Sequence, residues 1–176
     1  MPSITRYRFL QIFFAASLAL CASASFTKTD AQDRTSATNQ TIVFVCLHGS
    51  VRSQMAAAYF NRIAKERGLP FTAISRGIQV DSSIPMRIRD GLAQDGLAPT
   101  DDIPHGLTAD EASGASKVFA FDAVPDDRKG AADITYWSDV PTKDYQATRE
   151  AIVRHIDGLL PTLGLFGRLD VPERKQ

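Results

Sequence analysis

The sequence predicts an α/β protein: a single small doubly wound sandwich, with a four-stranded parallel sheet and helices on both faces. Three observations lead there. Short apolar runs alternate with stretches of helical spacing across residues 41–164, as in successive βαβ units. The first run, Ile42-Val43-Phe44-Val45, is continuously apolar rather than alternating, which is the pattern of a strand covered on both faces. The 176 residues are 44% apolar, enough for one ordinary core, and no internal repeat or second domain is visible.

The chain before that first strand has a different character. Arg6 and Arg8 precede an uncharged apolar stretch, Phe9 to Leu20, and Ala22-Ser23-Ala24 follows as a small-residue cleavage signal. Together they read as a secretory signal peptide over residues 1–24. The apolar stretch is short against the roughly 20 residues that a membrane span needs. Three readings compete: a cleaved signal with a periplasmic product, an uncleaved N-terminal membrane anchor, and a lipid anchor at Cys21. The cleaved signal leaves no stable membrane span. Residues 25–40 are polar and rich in Ser and Thr, and read as a flexible leader.

The elements follow in order. Ile42 to Val45 is the first strand. Ser53 to Arg67 places Met55, Tyr59, Ile63 and Ala64 at helical spacing, and Gly68 stops it. Phe71 to Ser75 is a second short strand closed by Gly77. Pro85 to Gln94 is a helix with proline in its first turn. Thr108 with Glu111 three residues on is a capping box opening a short helix. Val118 to Phe121 and Ile134 to Trp137 are the third and fourth strands. Asp126-Asp127-Arg128-Lys129 between them is a solvated turn. Tyr145 to Leu163 is the last helix, with Ile152, Ile156, Leu159, Leu160 and Leu163 on one face. Residues 165–176 are a C-terminal tail.

Twenty basic residues balance twenty acidic ones, so there is no electrostatic footprint for nucleic acid or an anionic membrane surface. Cleavage after Ala24 removes two arginines and no acid, taking the formal charge from 0 to −2. It also removes Cys21 and leaves Cys46 as the sole thiol, unable to form an internal disulfide. His105 and His155 show no metal-ligand spacing with each other or with Cys46, and no metal or cofactor is expected. Trp137 and Tyr145 are expected to serve packing rather than to wall a substrate slot.

Chemistry concentrates in Cys46-Leu47-His48-Gly49-Ser50-Val51-Arg52-Ser53. In a doubly wound fold, ligands sit beyond the carboxyl ends of the strands, and Cys46 ends the first. The loop then runs into a helix N-terminus, where unpaired backbone N–H groups and the helix dipole favour an anion. Leu47, His48, Gly49, Ser50 and Val51 would form the concave nest, with Gly49 supplying a positive φ. Arg52 adds a planar fork for two oxygens of a phosphate-like ion. The same field, with a hydrogen bond from Ser53, favours the thiolate of Cys46. A nucleophile and an oxyanion cradle thus surround one point, as attack on a tetrahedral anion requires.

Cys-x5-Arg-Ser directly after an apolar first strand resembles the pattern of the low-molecular-weight protein tyrosine phosphatases and of the thioredoxin-type arsenate reductases that share their fold. His48, Ser50 and the run Arg52-Ser53-Gln54-Met55-Ala56 look closest to the reductases, and Ser75-Arg76-Gly77 resembles the Ser-x-Gly after the family's second strand. The resemblance implies a phosphatase acting on phosphotyrosine or small phosphate monoesters through a Cys46 thiophosphate, with Arg52 and the loop holding the phosphoryl oxygens. Its alternatives are an arsenate reductase served by an external thiol, and an oxyanion-binding protein without turnover.

Three departures bear on the choice. Gly49 stands where the family has Asn. The two further cysteines of the reductases' electron relay are missing. There is no Asp-Pro, the family's general-acid motif; the best match places Thr142 at the acid. Asp139 and Asp144 flank that position, and either is a candidate proton donor against the alternative of a solvated or capping carboxylate.

Overall fold

Strand β1, Gln40–Cys46, is buried along most of its length and has a partner on either side. Its side chains alternate between two cores. Ile42, Phe44 and Cys46 join one cluster with Met55, Tyr59, Phe60, Ile152 and Ile156. Val43 and Val45 join the other with Leu107, Ala112, Val118 and Ala120. An apolar run without alternation is therefore what this position demands, because each face of the strand meets a separate core.

The computed structural model describes residues 40–169, with side chains to residue 163. These residues lie in one compact unit. The expected signal peptide, Cys21, most of the leader and the end of the tail fall outside the described residues. After β1 come α1 (Arg52–Glu66), β2 (Phe71–Gly77), α2 (Met86–Gln94), α3 (Ala109–Gly114), β3 (Lys117–Ala120), α4 (Asp126–Lys129), β4 (Ile134–Tyr136) and α5 (Tyr145–Leu169). The sheet has four strands in the order β2-β1-β3-β4, and every pairing is parallel. Buried residues of α1, α2 and α5 cover one face, and Ala112 of α3 packs on the other. This is the doubly covered α/β fold expected from the sequence. Phe44, Phe119 and Trp137 form an aromatic spine, with centroid separations of 5.5 Å for Phe44–Phe119 and 4.7 Å for Phe119–Trp137.

Several boundaries differ from the sequence expectation. β2 does not close before Gly77; its register continues until Gly77 lies opposite Cys46, so ladder pairing overrides the local stop signal. Pro85 lies at the cap of α2 rather than inside its first turn. Asp126–Lys129 is one helical turn, all exposed or half-exposed, with Lys129 Nζ 2.6 Å from the Asp126 carboxylate. α5 runs past Leu163 to Leu169 with Pro161 inside it, and the ring nitrogen of that proline withholds one ladder donor. The capping box opening α3 has both of its reciprocal bonds, Thr108 side chain to Glu111 backbone and the reverse. No helix among the described residues is long and apolar enough to cross a membrane.

Candidate active site

The β1–α1 loop returns on itself tightly, and glycine makes that possible. Gly49 has φ +67°, a left-handed conformation costly for residues with a Cβ. It packs backbone to backbone on Gly77: a Cβ on Gly77 would lie 2.8 Å from Gly49 N and 2.9 Å from His48 C. The end of β2 is thus a floor for the loop. Gln54, fully buried on α1, ties the loop to the chain after α2. Its Nε2 donates to Gly49 O at 3.3 Å, and its Oε1 accepts from Thr100 N at 3.1 Å.

Cys46 Sγ sits at the focus of this loop, 3% exposed. Gly49 N–H donates to it at 3.2 Å, and Ser53 Oγ lies 3.1 Å away. Ser75 Oγ, from β2, donates to Ser53 Oγ at 2.9 Å. Ser75 Oγ also lies 3.4 Å from Gly49 O, so the same hydroxyl touches the loop backbone. The result is a chain of contacts Ser75–Ser53–Cys46 inside the core.

Arg52, the first residue of α1, points to the end of β3. Its Nη2 lies 2.8 and 2.7 Å from the two carboxylate oxygens of Asp122, and its guanidinium is 5.5 Å from the Phe121 ring centroid. Nη1 is 3.4 Å from the carbonyls of Phe121 and Val140. Asp122 also accepts from Leu47 N–H at 2.6 Å, so one carboxylate ties the cradle's arginine to its first amide. Ser50 Oγ donates to Asp81 at 2.5 Å, and His48 Nδ1 lies 3.4 Å from the same carboxylate.

These residues surround a cavity of about 430 Å³ lined by Cys46, Leu47, His48, Ser50, Val51, Arg52, Asp81, Pro85, Arg87, Thr142 and Lys143. The loop residues read from the sequence are together here, apart from Gly49 and Ser53, which lie buried behind it. Asp139 and Asp144 do not line it. Asp139 accepts from His155 Nε2 at 2.8 Å, and that contact holds its carboxyl below the usual carboxylate range. Asp144 caps α5, accepting from Ala147 N–H at 2.7 Å. Trp137 is core, and His155 stacks on it at 4.6 Å. His105 is exposed and contributes only its carbonyl, which accepts from Gly77 N–H.

Sequence reasoning did not single out Asp81 or Asp122. Both follow the carboxyl end of a strand, the address at which this fold class collects ligands, and that rule applied to β2 and β3 would have found them. No group of three or more His, Cys, Asp or Glu among the described residues is arranged to hold a metal.

Fold and site together define a small α/β protein with a cysteine-centred loop joining its first strand to its first helix. The chain belongs to the low molecular weight phosphotyrosine protein phosphatase family, whose model matches residues 41–128. No curated protein matches it. Among solved structures it is similar to YfkJ from Bacillus subtilis, at 21% identity over 71% of this chain and 94% of that one, with a TM-score of 0.62. It is similar to the Corynebacterium glutamicum thioredoxin-dependent arsenate reductase Cg_ArsC1′, at 23% identity and TM-score 0.59, covering 72% of this chain and 62% of that one. A protein tyrosine phosphatase from Entamoeba histolytica is 16% identical, with a TM-score of 0.59 over 73% of this chain and 99% of that one. At such identities the likenesses establish the fold, and the family supports cysteine-based phosphatase or arsenate reductase chemistry.

Proposed function

We propose that the protein is a cysteine-dependent phosphatase of small phosphate monoesters, phosphotyrosine among them. The observation that carries this is the pair of contacts on Cys46 Sγ, from Gly49 N–H at 3.2 Å and Ser53 Oγ at 3.1 Å, at the base of an open cavity. Sγ attacks phosphorus and the bond to the leaving oxygen breaks. Loop amides and Arg52 stabilise the equatorial oxygens. Ser53 stabilises the thiolate again when water hydrolyses the thiophosphate. Neither Asp139 nor Asp144 is placed to give the leaving group a proton, so the reading rests on nucleophile and cradle. Export through the N-terminal 24 residues is part of the proposal, and the isolated protein then begins at Ser25.

An activated ester tests it, since p-nitrophenolate leaves with little protonation. The reduced protein is expected to hydrolyse p-nitrophenyl phosphate, and Cys46→Ser to lose at least about a thousandfold in kcat. Absence of turnover in the reduced wild-type protein overturns the reading. Reduction of arsenate with an added thiol would then favour the second chemistry that the family supports, for which the described residues supply one cysteine.

A further inference from the structure

The phosphatase reading leaves the fate of the leaving group open, and two separate features of the cavity bear on it. The first is how its acids are engaged: the one carboxylate in the lining, Asp81, faces the one imidazole, His48, at 3.4 Å. Asp81 accepts from Ser50, and Asp122 beside it accepts from Arg52 and from Leu47 N–H. Thr142 lines the cavity, and a threonine hydroxyl is far too weak an acid to protonate a departing alkoxide. The second is a pair of cations. Arg87 and Lys143 line the same cavity as Cys46, both exposed, and neither makes an ion pair within the described residues. Arg87 Nη1 lies 3.4 Å from Thr142 O, which links α2 to the loop before α5 and brings the two cations to one mouth. No aromatic side chain lines the cavity except the imidazole of His48, so there is no slot of paired rings for an aryl group.

We propose that the preferred substrate is a phosphoric anhydride, its terminal phosphoryl group over Cys46 and its adjoining phosphate between Arg87 and Lys143. Such a leaving group departs as an anion and needs no proton donor; it needs positive charge where the charge develops, and the two cations supply that. In the first step the Cys46 thiolate forms the S–P bond, the bridging P–O bond breaks, and its electron pair leaves on the oxygen of the departing phosphate. In the second, water attacks the thiophosphate, orthophosphate forms, the thiolate is regenerated, and the water's surplus proton passes to solvent. Arg87 and Lys143 are then specificity-determining residues. The inference rests on the phosphatase reading, but it adds a preference which that reading does not require.

The test is the ratio of kcat/KM for anhydrides to that for phenyl phosphate, a monoester with a poor leaving group. Inorganic pyrophosphate and a nucleoside diphosphate serve as separate anhydride arms, so that an inorganic substrate is told from a nucleotide. The expected result is a ratio of at least about tenfold in one arm or both, falling at least about tenfold in the Arg87→Ala/Lys143→Ala variant. Phenyl phosphate cleaved as fast as both anhydrides, or a ratio unchanged in the double variant, overturns the inference while p-nitrophenyl phosphate turnover still upholds the phosphatase. If p-nitrophenyl phosphate is not turned over, binding to the Cys46→Ser protein separates the two failures. Pyrophosphate held at least about tenfold more tightly than orthophosphate, with the preference lost in the double variant, supports the subsite; equal affinity overturns it.

Discussion

Asp122 holds the least expected position at the residue scale. In the proposed anion cradle, a carboxylate in contact with the arginine competes with the ligand for it, yet it also fixes where the guanidinium rests. Nη2 touches both carboxylate oxygens, and the Arg52 side chain is 12% exposed, so this is a pair largely removed from water. Breaking such a pair by neutralising one partner leaves the other poorly compensated. Asp122→Asn keeps the shape, retains one oxygen acceptor and presents an amide N–H group where the second was. Either Arg52 or Leu47 N–H then faces a donor instead of an acceptor. The expected outcome is a fall of about tenfold in kcat for p-nitrophenyl phosphate together with a lower Tm, because Arg52 loses its counter-charge and one contact of the loop meets a donor. A variant with wild-type kcat would show that Asp122 is a bystander to Arg52.

At the scale of elements, the loop works because β2 lies under it without a side chain. Gly77 is not in a left-handed conformation; its requirement is purely one of space, with backbone atoms of Gly49 and His48 under 3.0 Å from where a Cβ would stand. Backbone cannot rotate away as a flexible side chain can, so Gly77→Ala must push the loop off β2. We expect a loss of about 1–3 kcal/mol in stability, typical of overpacking, together with a clear loss of p-nitrophenyl phosphate turnover, read by thermal denaturation and steady-state kinetics. Turnover equal to wild type would mean that the loop does not depend on its floor. The glycine was legible in sequence as part of Ser75-Arg76-Gly77, but its partner was not, since a contact between residues 49 and 77 is set by strand register. The same division runs through the fold. Apolar runs and helical periods announced the four strands and α1, α2 and α5, and the capping box of Thr108 and Glu111 announced α3, while α4 reads in sequence as a turn. The ends of β2 and α5 were hidden because pairing and packing extend an element past its local stop. The resemblance to the family's acid motif placed Asp139 and Asp144 beside the loop of Thr142, but which way each side chain turns is decided by His155 and by the first turn of α5.

Across the whole molecule, three helices on one face of the sheet meet at a single carboxylate. Asp95, just past α2, accepts from the hydroxyl of Tyr59 on α1 and, at 2.9 Å, from the hydroxyl of Tyr145 at the start of α5. The two hydroxyls are 2.9 Å apart, and Arg149 of α5 brings its buried Nε to 3.4 Å from the same carboxylate. A Cβ on Gly91 would fall within 2.6 Å of the Tyr145 ring, so α2 presents glycine where that ring lies across it. The hydrogen bond from Tyr59 is the main force holding the Asp95 carboxyl below its ordinary value of 3.8, outweighing burial, which pushes the other way. Burial is in turn the main reason that both tyrosines are pushed up and keep their protons to donate. A carboxyl lowered on folding stabilises the fold above its unfolded value, and that contribution is lost as pH falls through the lowered one. Asp95→Ala would take the carboxylate acceptor from two hydroxyls and the nearby counter-charge from Arg149, a cost of about 2–3 kcal/mol. The variant should therefore melt several degrees lower at neutral pH, and the gap to wild type should narrow on acidification below 3.8 as the wild-type carboxyl takes up its proton. None of the groups in this junction lines the Cys46 cavity. Turnover of p-nitrophenyl phosphate well below the melting temperature should persist, and a loss of activity in step with Tm would show instead that the helical junction and the oxyanion loop form one cooperative unit.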